Sequence, residues 1–206
     1  INNLENKVVT ISQIFIGFLF FELFSFYSDF FTQIEGKSFK AINLKGVAGN
    51  KNITAASIAF KVPFVIYSIV IVRKGLIKLI FSILLFTAIF SISILYARAA
   101  ILSSFIVFVI FLIYSIFTLL SDRSQLKHNL KNLSLTIVPY FIAILLNLTF
   151  TNSQNKGNIG SQLGDIEFTE ESSNGRFQYW SDAFEQISDH PFLGAGLGNW
   201  KIASIS

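Results

Sequence analysis

Long apolar runs alternate along the chain with short clusters of Lys and Arg. Residues 79–97, 99–121 and 132–155 contain no Asp, Glu, Lys or Arg. Each is long enough for a helix to cross a hydrocarbon layer of about 30 Å. Two further apolar stretches are interrupted by charge: Glu22 and Asp29 in the first, Lys61 in the second. The pattern predicts spans at about 8–31, 53–72, 79–97, 99–120 and 134–150. The fold class is therefore all-α, a polytopic membrane helical bundle over residues 1–150. As one straight helix, 79–120 would run about 63 Å at 1.5 Å per residue, twice the hydrocarbon thickness. The chain must fold back or bend at Arg98, although no Gly or Pro marks a turn there.

Beyond the apolar runs the pattern changes. Residues 151–171 are polar, acidic and Gly-containing, as expected of a connection. Phe177, Trp180, Phe184 and Ile187 then recur at helical spacing, with Asp182, Glu185 and Asp189 mostly on other faces. With "SSN" (172–174) as N-cap candidates and Pro191 as a stop, this predicts an amphipathic helix at about 175–188. In their bland reading, Trp180 and Phe184 rest on the bundle or among lipid headgroups.

Composition supports the membrane assignment: 52% of the 206 residues are hydrophobic and 14% are charged, against about 25% charged in soluble domains. The absence of Cys excludes disulfides and thiolate metal sites. There is no Met, not even at position 1, and no cleavable signal pattern. The chain thus reads as an internal fragment, expected to be inactive alone. "GAGLGNW" (194–200) is not a GxGxxG fingerprint and follows no strand, so dinucleotide binding is rejected. His190 has only Asp189 beside it, and His128 falls on the opposite side of the membrane, so no metal site is expected. Nor is a nucleic-acid partner.

Charge is unevenly distributed. Residues 1–150 carry thirteen Lys/Arg against five acids, whereas residues 151–206 carry three against seven. The loops 73–78 ("RKGLIK") and 121–133 each carry three Lys/Arg, which places both on the cytoplasmic side. The 97–98 turn and residues 151–206 then face the periplasm. The 32–52 loop also falls outside despite Lys37, Lys40, Lys45 and Lys51. Either the charge rule is overridden there, or those lysines meet an anion.

Three cations stand out. Lys61 sits near mid-membrane, where an ammonium costs about 2.5–3.5 kcal/mol on insertion scales. It contacts a substrate phosphate or sugar, or it pairs with Glu22 or with a carbonyl freed by Pro63. Arg176 lies in the first turn of the amphipathic helix, where the macrodipole disfavours a cation. Its partner is a nearby acid such as Glu170 or Glu171, or an anionic ligand. Arg98 falls on the same outer side as Arg176.

Three stretches resemble the O-antigen ligase and polymerase superfamily of bacterial envelope glycan enzymes. "GNKNITAASIAFKVP" (49–63) is similar to that family's Asn-rich start of a helix. "ARAAIL" (97–102) resembles its Ser-Arg-Gly/Ala turn, with Ala97 in place of the usual Ser. "GRFQYWSDAFEQISDHPFLGAGLGNW" (175–200) resembles its Gly-Arg-x3-Trp helix and Pro-x2-Gly-x-Gly close. The resemblance implies a C-type integral membrane glycosyltransferase fold in the bacterial inner membrane. It implies a donor glycan on undecaprenyl diphosphate and an acceptor that is lipid A-core or a growing polysaccharide. Arg98 and Arg176 would engage the diphosphate as catalytic residues, with Lys51, Asn52, Lys61 and Trp180 as substrate-binding candidates. No metal and no other cofactor is expected. The histidine that the family places beyond the Gly-rich turn has no counterpart in residues 1–206. The alternative functions are a membrane transporter or lipid-linked glycan flippase, suggested by Lys61 and the Pro63 break, and an inactive assembly subunit.

Overall fold

The computed structural model describes residues 2–35, 44–121, 125–153 and 176–191. The chain divides into two compact units, Ile1–Gln162 and Leu163–Ser206. The described residues of the first form five helices: α1 (Asn2–Glu35), α2 (Lys51–Ile71), α3 (Gly75–Leu95), α4 (Arg98–Ser121) and α5 (Leu126–Ser153). In the second, the described residues form α6 (Arg176–Asp189). Each of α1–α5 is long and apolar enough to cross a membrane.

The helices outrun the expected lipid-spanning cores at several ends. α1 continues through Glu22 and Asp29, and α5 starts at Leu126 rather than near 134. Polar residues interrupt an apolar run without interrupting a helix, because the backbone bonds to itself whatever side chains it carries. For the same reason Gly75–Lys78, expected in the 73–78 loop, form the first turn of α3.

Side-chain contacts fix how the helices run. Phe15 stacks on Phe64 (ring centroids 4.5 Å apart) and Ser57 Oγ donates to Glu22 Oε1 (2.7 Å), so α1 and α2 are antiparallel. The Tyr27 hydroxyl donates to the Thr87 carbonyl (3.1 Å), which sets α1 beside α3. Lys78 reaches Asn132, and Ser82 Oγ donates to the Leu135 carbonyl (2.7 Å), so α3 and α5 are parallel. The Tyr140 hydroxyl donates to the Ser104 carbonyl (3.1 Å), while Ser115 and Thr118 share a small cavity with Asn129 and Asn132, so α4 and α5 are antiparallel. Val70 lines that same cavity, putting the end of α2 beside the second half of α4. α1 and α5 therefore finish at the end of the bundle where α2 and α4 begin. α3 and α5 begin at the other end.

α2 and α3 carry most of the core. Ala55, Ile58, Val62, Val65 and Ile69 of α2 and Leu85, Ala88, Ile92, Ile94 and Leu95 of α3 are almost wholly buried. α1 and α4 instead show Phe20, Phe24, Phe105, Phe117 and Leu120 outward, as expected of helices bordering lipid, where apolar exposure carries no penalty. Small and hydroxylated residues (Ala55, Ala59, Ser68, Ser82, Ser91, Ser93) sit at the buried contacts. Several of these serines donate to a carbonyl of their own helix, as Ser68 does to Phe64 (2.9 Å) and Ser93 to Ile89 (2.8 Å). No buried hydroxyl there is left facing hydrocarbon, and the backbones can approach closely.

Candidate active site

The beginning of α2 is set by a short turn. Gly46 and Gly49 have φ of +55° and +68°, a left-handed conformation that glycine adopts without strain. At Gly46 a Cβ would also lie 2.9 Å from Thr54 Cγ2. Thr54 is buried, and its hydroxyl donates to the Lys45 carbonyl (2.5 Å), tying the turn to the helix. Asn50 is the N-cap, its Oδ1 accepting from the N–H groups of Asn52 (2.8 Å) and Ile53 (3.4 Å). This cap fixes where Lys51, the first helical residue, and Asn52 stand. Lys51 is half-buried and Asn52 exposed.

The second part of the site is the elbow between α3 and α4. Tyr96, the C-cap of α3, has φ 52° and ψ 36°. For a residue with a side chain this costs about 1–2 kcal/mol. The reversal takes only Tyr96 and the buried Ala97, after which Arg98 opens α4. The turn thus lies at 96–97 rather than at the expected 97–98. Burial holds the Tyr96 phenol above its ordinary pKa, so it stays neutral. Arg98 is half-buried.

α2 and α4 are neighbours and run in the same direction, so Lys51 and Arg98 belong to the same end of the bundle. Neither helix has an acidic residue in its first turn. Two helix N-termini, each carrying partial positive charge, therefore begin there with a cation as their first residue. Such an arrangement is suited to an anion, and above all to phosphate oxygens, which take hydrogen bonds from a guanidinium fork and from orphan amides.

Lys61 lies apart from that end. It is ten residues along α2 from Lys51, or about 15 Å at 1.5 Å per residue. Its ammonium donates to Glu22 Oε1 (3.0 Å) and Oε2 (2.9 Å), to Ser57 Oγ (2.7 Å) and to the Ser57 carbonyl (3.0 Å). Of the two internal partners open to it in the sequence, it takes Glu22 and not the Ala59 carbonyl freed by Pro63. The pair is mostly buried, with side-chain exposures of 8% for Lys61 and 20% for Glu22.

Arg176 and Trp180 lie on α6, which is described by itself. Arg176 is its first residue, and the Arg176 side chain lies outside the described part of the structure. Trp180 packs edge-to-face on Phe177 (centroids 5.5 Å apart), one turn earlier on the same stripe. The acids Glu170 and Glu171, the capping candidates at 172–174 and the Gly-rich 194–200 stretch also lie outside the described residues. Among the described residues no group of three His, Cys, Asp or Glu comes together.

Asn50 and Tyr96 were not singled out by sequence reasoning. Asn immediately before a helix is a cap signal and could have identified the first. Tyr96 gives no such signal, since left-handed backbone is expected of Gly or Asn.

A family model described as O-antigen ligase matches residues 73–206. The match is well over half the chain and includes α3–α6, Arg98, Arg176 and Trp180. Lys51, Asn52 and Lys61, on the 49–63 stretch, precede it. No curated protein and no solved structure matches the chain.

Proposed function

Because the chain belongs to the O-antigen ligase family, as a multi-pass membrane protein of the lipid-linked glycan machinery, we propose that it transfers a glycan from undecaprenyl diphosphate to lipid A-core or a growing polysaccharide, at the periplasmic face and without a metal. An acceptor hydroxyl attacks the anomeric carbon of the lipid-linked sugar. The bond from that carbon to the diphosphate oxygen breaks, undecaprenyl diphosphate departs with the electron pair, and the hydroxyl proton passes to water or to the departing diphosphate. The charge that grows on the leaving diphosphate falls to Arg98 and Arg176, and Lys51 and Asn52 contribute to substrate binding. Guanidinium suits this task, since it stays charged and matches two phosphate oxygens at once. Trp180 offers an apolar face to a sugar ring or lipid.

The observation that carries the reading is the family match over 73–206, which takes in both arginines. Two acid-free helices that begin at the same end of the bundle, with Lys51 and Arg98 as their first residues, support it. Periplasmic orientation is supported by the Lys/Arg clusters at the opposite end of the bundle. The test is the surface-glycan profile of bacteria whose only copy of the full-length protein carries Arg98→Ala or Arg176→Ala. Loss of one preorganised donor typically costs 10²–10³ in rate, so both variants should lose glycan assembly at unchanged membrane levels, with Arg98→Lys recovering only part. Normal profiles from both alanine variants would remove this mechanism. The transporter reading separates cleanly: purified protein in vesicles would move labelled lipid-linked glycan and never join it to an acceptor.

A further inference from the structure

The opposite end of the bundle, where α3 and α5 begin, holds a second cluster of cations. Lys78, in the first turn of α3, is only 2% exposed. Its ammonium donates to Asn132 Oδ1 of α5, and this is its one hydrogen-bond acceptor among the described residues. Asn132 is itself 5% exposed. Lys131 adds a like charge close enough to act on Lys78. The Lys131 ammonium lies over Gly75, 3.2 Å from where a Cβ would stand on that glycine. Gly75 is the first residue of α3, whose N-cap is Lys74 and whose cap makes no side-chain hydrogen bond.

The electrostatics do not balance. A buried ammonium normally has a carboxylate partner, as Lys61 has. Lys78 has a neutral amide and a second ammonium nearby. A helix N-terminus favours an acid at the cap or in the first turn. α3 has a lysine at the cap and no acid in that turn. Residues 44–121 and 125–153, which make up α2–α5 and their described links, contain no Asp or Glu at all. The acids that the topology brings toward this end are Glu5, at the start of α1, and Asp122, before α5, whose side chains lie outside the described part. The small cavity beside Asn132, between α2, α4 and α5, is about 30 Å³, room for about one water. A larger anion must therefore sit outside it, over the start of α3.

We propose that Lys78, Lys131 and Asn132, with the uncapped first turn of α3, form a binding site for a phosphate group, distinct from the glycan-transfer end and independent of that reading. The lysines neutralise it, the Gly75 backbone lets it approach, and the amides of Gly75, Leu76 and Ile77 are free of intrahelical partners to receive its oxygens. The cluster sits where a helix leaves the hydrocarbon, the depth of phospholipid headgroups. The phosphate comes from such a headgroup or from solution.

The test uses the full chain in dodecyl maltoside, titrated separately with dioleoylphosphatidylglycerol and with sodium phosphate, binding being followed by native mass spectrometry and by the thermal midpoint. Lipid adducts with no response to inorganic phosphate identify a headgroup site, and a response to both identifies a general phosphate site. Lys131→Gln, at an exposed position, should weaken binding about tenfold, the factor for loss of one charge-assisted contact. Asn132→Asp is the sharper variant. It supplies the missing carboxylate internally, so it should abolish binding while leaving the midpoint of the ligand-free protein equal or higher. A merely structural site would not dissociate those two readouts. Asp122→Asn should leave binding intact. The proposal fails if wild-type protein binds neither probe, if Asn132→Asp binds as well as wild type, or if Asp122→Asn lowers the ligand-free midpoint as much as Lys78→Gln does, for then Asp122 is the counterion.

Discussion

Removing the Glu22 carboxylate should destabilise the bundle more than any other single change of similar size. In Glu22→Gln, Lys61 keeps Ser57 Oγ (2.7 Å), the Ser57 carbonyl (3.0 Å) and an amide oxygen, but loses its one counterion among the described residues. Breaking a buried pair by removing one member costs about 3–5 kcal/mol. The surviving acceptors, and the partners that an unfolded chain finds within a membrane, pull the value toward the low end. We expect about 3 kcal/mol, or a fall of about 6–12 °C in thermal midpoint at 2–4 °C per kcal/mol for a chain of this size. Lys61→Met should do much the same from the other side, leaving a carboxylate bonded only to Ser57. The double variant Glu22→Leu/Lys61→Met removes both charges and should sit near wild type, since a buried pair replaced by apolar groups is often neutral or stabilising. The assay is far-UV circular dichroism during heating in detergent at one scan rate. Tryptophan emission would not serve, because Trp180 and Trp200 both belong to the Leu163–Ser206 unit. If the double variant is as unstable as the two singles added together, the pair has no coupling and the argument from its geometry is wrong. The same variant informs function. If Lys61 touches the donor as well as Glu22, the stable double variant will fold and fail to transfer glycan.

Two further outcomes test the site's supports. Gly46→Ala should cost more than Gly49→Ala: both force a side chain into left-handed backbone, about 1–2 kcal/mol each, but only Gly46 would press a Cβ onto Thr54, at 2.9 Å. Equal midpoint losses would argue against the Thr54 contact. Tyr96→Gly removes the strain of the elbow and deletes a half-buried ring. It should therefore change stability by less than about 2 kcal/mol, a far smaller loss than a ring deletion in the core, and a collapse of the fold would show that the ring rather than the backbone holds the turn.

Much of the fold was legible in the sequence because lipid imposes one demand that composition records directly. Charge-free runs longer than eighteen residues leave little alternative to a spanning helix, and α3, α4 and α5 were visible on that ground alone. The ends were less legible. Lys127, His128 and Lys131 looked like loop because they are polar, yet they form the beginning of α5. Lys78 was counted as a loop charge, although the spacing of Lys78, Ser82, Leu85, Ile89 and Ile92 puts it on the buried stripe of α3. Its burial opposite Asn132 could not be anticipated, since nothing local links residues 54 positions apart. The partner of Lys61 was half-legible: Glu22 was one of two internal candidates, and choosing between them required the antiparallel register of α1 and α2. In the candidate site, Arg98 was found through motif likeness, whereas the backbone that aims it was hidden by an ordinary tyrosine.

That two-residue corner carries a consequence for how the chain tolerates change. With 3.6 residues to a turn, one amino acid inserted after Ala97 would rotate every later position of α4 by about 100° against its neighbours. The Ser104 carbonyl would swing away from Tyr140, and Arg98 would be turned by the same angle. Substitutions at the corner alter energy by small amounts, but a single-codon insertion or deletion re-aims a whole helix. Length, more than residue identity, is what this corner has to keep.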